Sequence, residues 1–155
     1  MRFFYVLLLM SASVISNANV AVDNINEIIN KTEKTESVQN IFKEYEFIYI
    51  FKSTCPHCKN FTPIIHNFTQ TYHVPITGYS VDGGKADGIK SKLIEPEVFN
   101  ALFNEAAYKP VVPALFLLNK HTHQAYAVTF GEASAVDLAS RLSELLKKIK
   151  ENYDA

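Results

Sequence analysis

Short apolar runs alternate with longer stretches of helical periodicity along most of the chain. Phe47-Ile48-Tyr49-Ile50-Phe51 is a continuous β-prone apolar run, too short for a helix and fully apolar, which predicts a central strand buried on both faces. A helix is predicted from the following cysteine pair to about Tyr72, because Phe61, Ile64, Ile65 and Phe68 recur at helical spacing. Pro63 falls inside it and should kink it. Val74 to Val81 reads as a second strand, and Asp82-Gly83-Gly84-Lys85-Ala86-Asp87-Gly88 as a turn and loop. Pro96 suits a first helical turn, with Glu97 to Ala107 continuing as helix. Ala114–Leu118 and Gln124–Phe130 flank a turn at 119–123 and predict an antiparallel hairpin. Ser134 caps a final helix whose apolar positions include Leu138, Leu142, Leu145 and Ile149. Upstream, Val22 to about Lys43 has a helical apolar face, interrupted by a polar stretch at 30–37. The order helix, strand, helix, strand, helix, strand, strand, helix predicts an α/β sandwich with a mixed central sheet.

The N-terminus follows a different rule. Arg2 precedes the apolar block Phe3–Met10, and small and polar residues follow up to Asn19. A charged start, a short apolar stretch and a small-residue exit form a secretory signal peptide, with cleavage expected after Ala18. The block is shorter than the roughly 20 apolar residues of a bilayer span. The competing readings are an uncleaved anchor or a first strand. The expected organisation is a signal peptide at 1–18, a helical segment at 19–45 and one α/β domain at 46–155, with no stable membrane insertion.

Charge excludes one class of partner. With 15 basic and 16 acidic side chains in 155 residues, nothing favours nucleic acid. Cysteine usage is more informative. There are two cysteines, Cys55 and Cys58, in Cys55-Pro56-His57-Cys58 between a predicted strand and helix. The first then lies at a helix N-terminus, where unpaired amides and the dipole favour a thiolate. The second lies one turn on and can resolve a mixed disulfide. A histidine between them stabilises the thiolate and favours an oxidising or isomerising centre over a reductant. Rival readings remain open. The pair could be half of a metal site completed by His57, His66, His73, His121 or His123, and soft thiolates would suit a copper carrier. It could also be a structural disulfide. Covalent haem is excluded, because Lys59 follows Cys58 where haem attachment needs histidine.

The strand, the tetrapeptide with Lys59, Pro63, Val112-Pro113 before a strand and Gly131 after the hairpin together resemble the thioredoxin fold. This implies a thioredoxin-like three-layer sandwich. The tetrapeptide is that of DsbA-type oxidases, but the chain is too short for their helical insertion. Tyr79-Ser80-Val81-Asp82-Gly83-Gly84, Pro96-Glu97 with Phe103, and Pro113–Asn119 resemble the TrbB-type thioredoxins of F-type conjugative transfer systems. That resemblance implies a periplasmic disulfide isomerase assisting pilus assembly, with no cofactor beyond the Cys55–Cys58 pair. Its partners would be unfolded or misoxidised exported proteins and a redox partner. The catalytic residues would be Cys55, Cys58, His57 and Pro56. Pro113 would be a cis-proline facing the cysteines, and Val112 would pair with a substrate strand. A thioredoxin-fold assembly factor with incidental thiols is the further alternative. In one respect the chain departs from the proteins it resembles. Many of them bury an acid six residues before the first cysteine, where this chain has Tyr49, so a water or Lys52 is expected to help deprotonate Cys58. Lys52 reads equally as a solvated surface lysine.

Overall fold

The computed structural model describes residues 40–153. The expected signal peptide and nearly all of the helix expected at 22–43 lie outside the described residues; residues 40–42 are helical. The elements are β1 (Tyr45–Phe51), α1 (Pro56–Tyr72), β2 (Ile76–Ser80), β3 (Ser91–Leu93), α2 (Pro96–Phe99), β4 (Ala114–Asn119), β5 (Ala125–Phe130) and α3 (Ala135–Tyr153). The five strands form one sheet in the order β3-β2-β1-β4-β5. β1 pairs parallel to β2 and antiparallel to β4, β2 pairs parallel to β3, and β4 pairs antiparallel to β5.

β1 is central, and its apolar run is buried on both faces as its composition requires. Tyr49 meets Phe61 of α1 edge-on at 6.3 Å, and Phe47 packs on Phe68 at 6.0 Å. On the opposite face, Ile48 and Ile50 join Leu102, Phe103, Ala114 and Phe116 in a second core, covered by Val98 and Phe99 of α2. α3 packs on β5 and touches α1, burying Leu138, Leu142 and Ile149. Helices therefore lie on both faces, in the thioredoxin-like three-layer sandwich that the resemblance implies.

Two elements differ from the sequence expectations. β3 is an extra edge strand of three residues, largely exposed, with no apolar run to reveal it. The helix expected from Glu97 to Ala107 is an α-helical turn followed by a π-helical turn, Asn100–Asn104. There the amides of Glu105 and Tyr108 reach back five residues, to Asn100 and Phe103. This wider turn carries Leu102 and Phe103 into the core together. α1 runs from Pro56 to Tyr72 with Pro63 inside it, the extent the periodicity predicts. Register places the C-terminal end of β1 beside the start of β4, because Ile50 pairs with Ala114.

Candidate active site

The cysteines leave the sheet where β1 ends. Cys55 is the N-cap residue of α1, in extended conformation, and Pro56 occupies the first turn, where its missing amide costs no hydrogen bond. The Cys55 amide donates to the Lys52 carbonyl at 3.1 Å, closing a tight turn before the helix. Cys55 is partly exposed, whereas Cys58 is 2 % exposed, and both thiols are free.

The two sulfurs have opposite acidities. Desolvation works against the Cys55 thiolate, but it is outweighed by the Cys58 amide and thiol, the His57 amide and the charge of Lys52, so its pKa is lowered. Burial pushes the Cys58 thiol up to about 11, and the proximity of Cys55 adds to the rise. The Lys52 backbone and the Tyr49 hydroxyl act in the other direction on Cys58. Lys52 thus faces Cys58 with its backbone and Cys55 with its charge.

Tyr49, in the place of the expected acid, is fully buried. Its hydroxyl donates to the Cys58 carbonyl at 3.1 Å and lies 3.2 Å from Thr62 Oγ1, which donates to the same carbonyl at 2.8 Å. Burial raises the Tyr49 pKa, so the group facing Cys58 is a neutral phenol.

Two carboxylates complete the surroundings, and sequence reasoning singled out neither. Asp82 accepts the Ser53 amide at 3.1 Å on both oxygens, the Ser53 hydroxyl at 2.8 Å and the Ser80 hydroxyl at 2.7 Å. The Gly84 amide adds a longer bond of 3.3 Å. The Ser53 amide, then the two hydroxyls, hold the Asp82 carboxyl well below the usual carboxylate range. Gly84 fits against Ser53 so closely that a Cβ there would lie 2.2 Å from Ser53 Cβ and Oγ. The Asp-Gly-Gly turn is therefore a clasp on the segment entering Cys55. Its sequence signals were the turn itself and its place in the Tyr79–Gly84 stretch that carries the family resemblance, neither of which marked Asp82 as a clasp. Glu132, just after β5, is the second carboxylate; its Oε2 lies 3.1 Å from His57 Nδ1 and accepts Asn60 Nδ2 at 3.3 Å.

The Val112–Pro113 peptide bond is cis. The Pro113 carbonyl accepts the Gly131 amide at 2.7 Å, which joins this loop to the end of β5. Around it, Tyr108, Val111 and Phe130 leave apolar surface open to solvent. The other candidate histidines are scattered. His66 lies against Gly88, His73 caps the C-terminus of α1, and His121 pairs with Glu44 beside the exposed His123. Among the described residues, no three His, Cys, Asp or Glu side chains gather as a metal-ligand group. Among them, too, no helix is long and apolar enough to cross a membrane.

Sheet order, a Cys-x-x-Cys pair at the head of a sheet-flanking helix and a cis-proline immediately before β4 define a thioredoxin-fold protein with a dithiol centre. Comparison with known proteins narrows the class. A family model described as TraF, F plasmid transfer operon protein, matches residues 11–143, and the chain belongs to this family. It is 24% identical over 106 residues to Protein TrbB of Escherichia coli (strain K12), a match covering 67% of this chain and 57% of that protein's length. Among solved structures, it resembles the thioredoxin domain of a thiol-disulfide oxidoreductase from Bacteroides vulgatus at 16% identity, with a TM-score of 0.48 over 68% of this chain and 82% of that one. It also resembles StoA from Bacillus subtilis at 17% identity, with a TM-score of 0.45 over 64% and 82%.

Proposed function

We propose that the protein is a periplasmic thiol–disulfide oxidoreductase, acting as isomerase or oxidase on exported proteins that assemble the conjugative pilus apparatus. The asymmetry of the two sulfurs carries this reading. One is accessible and acidified at a helix N-terminus; the other is buried one turn on, with its pKa raised to about 11.

In the reducing direction, the Cys55 thiolate attacks a client disulfide, forms a mixed disulfide and releases one client thiolate. Cys58 then gives up its proton and attacks Cys55 Sγ. The second client thiolate leaves, and a Cys55–Cys58 disulfide remains. Oxidation of a client dithiol is the same sequence reversed, with two electrons passing to the protein disulfide. Isomerisation follows when a client thiolate attacks the mixed disulfide first and returns Cys55 unchanged. The weakly acidic Cys58, facing a neutral phenol, slows resolution and lengthens the life of the mixed disulfide, which favours that third outcome. The exposed Tyr108, Val111 and Phe130, with the half-buried Val112 beside the buried Pro113, offer apolar surface suited to unfolded clients.

Trapping in envelope extracts tests the roles. Cys58→Ala should accumulate mixed disulfides, released by dithiothreitol, through Cys55, and Cys55→Ala should accumulate none. Equal trapping by both variants contradicts the reading. So does a Cys55→Ser/Cys58→Ser protein that supports pilus assembly as well as the unaltered chain.

A further inference from the structure

His57 meets the Cys55 sulfur through its backbone amide, while its imidazole turns to a carboxylate 75 positions away in sequence. Glu132 holds Nδ1 of that ring at 3.1 Å and, through the same oxygen, Asn60 at 3.3 Å. Asn60 is three residues beyond His57 on α1, so both side chains rise on one helix face to a single acceptor. Glu132 is itself placed by the neighbouring Gly131, whose amide is fixed to the Pro113 carbonyl. The bridge thus ties the head of α1 to the cis-proline loop across the mouth of the site. Both partners are largely exposed, at 67% and 43%, so the bridge is worth little as a fold-stabilising contact. Its position beside a redox centre gives it another use.

We propose that Glu132 is a positioning residue for His57, anchoring the imidazole on the cis-proline rim and so withholding the ring, with the charge it carries when protonated, from the Cys55 sulfur. A protonated imidazole beside the thiolate would stabilise the reduced form and make the disulfide a stronger oxidant. With the ring held by a carboxylate, the nearby positive charge acting on Cys55 is that of Lys52. The centre is then a milder oxidant than its tetrapeptide alone implies, which suits exchange in both directions. This inference rests on the oxidoreductase reading and refines it.

The test uses E132Q, H57A and the double variant, with two readouts: thiolate absorbance against pH for Cys55, and the equilibrium constant with glutathione. E132Q should lower the pH midpoint of Cys55 and move the equilibrium about threefold or more toward the reduced protein, which is about 14 mV for a two-electron couple. In the H57A background the same substitution should move it less than about half as far on the millivolt scale. E132A, which leaves no side-chain acceptor, should act in the same direction as E132Q. An unchanged midpoint in E132Q and E132A contradicts the proposal, as does a shift that persists undiminished without His57. If the unaltered protein exchanges no disulfide with glutathione, the oxidoreductase reading falls; the thiolate titration still judges the role of Glu132.

Discussion

The two ends of the sheet are built alike, yet only one is suited to chemistry. At the C-terminal end of β1, Asp82 clasps the segment entering Cys55, and a histidine pairs with a glutamate. At the other end, where Tyr45 pairs with Asn119, the Asn119 side chain accepts the His121 and Thr122 amides at 2.9 and 3.0 Å, and His121 pairs with Glu44. Each end thus has an organised turn and a histidine–carboxylate pair. The difference lies in where the polar groups converge. At the first end, the amides of His57 and Cys58 and the charge of Lys52 act together on a partly exposed sulfur. At the second, Asn119 serves the hairpin's own backbone and the histidines face solvent. A clasped turn with a histidine is a common structural device; a helix N-terminus aimed at a nucleophile makes it a candidate centre.

Substitutions that separate the two ends sharpen this contrast. The largest effect is expected from Gly84→Ala, because its Cβ would meet Ser53 Cβ and Oγ at 2.2 Å and displace the segment leading to Cys55. Disulfide exchange should fall about tenfold or more, measured as turnover on a scrambled model substrate. Gly83→Ala is the control, since it meets no atom within 4 Å and pays only for its positive φ. A smaller, pH-dependent effect is expected at Asp82. Its folded pKa is depressed, so its contribution is complete above the ordinary carboxylate value of about 3.9 and is lost as pH falls below it. The Ser53 amide resonance should therefore shift through an acid titration in the unaltered protein and stay nearly constant in Asp82→Asn. The matching change at the opposite end, Asn119→Ala, should cost about 1–3 kcal/mol of stability by orphaning the hairpin amides, with exchange activity unchanged. An exchange defect in Asn119→Ala would break the contrast.

Much of this architecture was written locally. The apolar run of β1, the periodicity of α1 and α3 and the 119–123 turn each depend on neighbours in sequence, and each formed within a few residues of the expected bounds. The cysteine pair was equally legible, because its spacing and its place at a strand–helix junction are local. What sequence reading missed depends on distant partners. Asp82 meets Ser53 from 29 residues away, and Glu132 meets Asn60 from 72. In sequence one was part of a turn and the other an ordinary surface acid. Tyr49 was visible as the residue standing where an acid is commonly buried, but help for Cys58 was expected from a water or Lys52; the packing of α1 is what sets the Tyr49 hydroxyl against the Cys58 carbonyl. β3 escaped for the opposite reason, because Ser91–Leu93 has no buried face to impose a pattern and its pairing with Gly78–Ser80 supplies the order. The π-helical turn escaped because five residues cannot distinguish two helical periods.

The account stands on unequal acidity of the two sulfurs, and the pH dependence of iodoacetamide alkylation, followed residue by residue in the reduced protein, reads it directly. Cys55 should react with a midpoint below the ordinary thiol value. Cys58, with its pKa near 11, should remain almost unmodified at neutral pH. A Cys55 midpoint at or above the ordinary value, or equal rates for both residues at neutral pH, would contradict it.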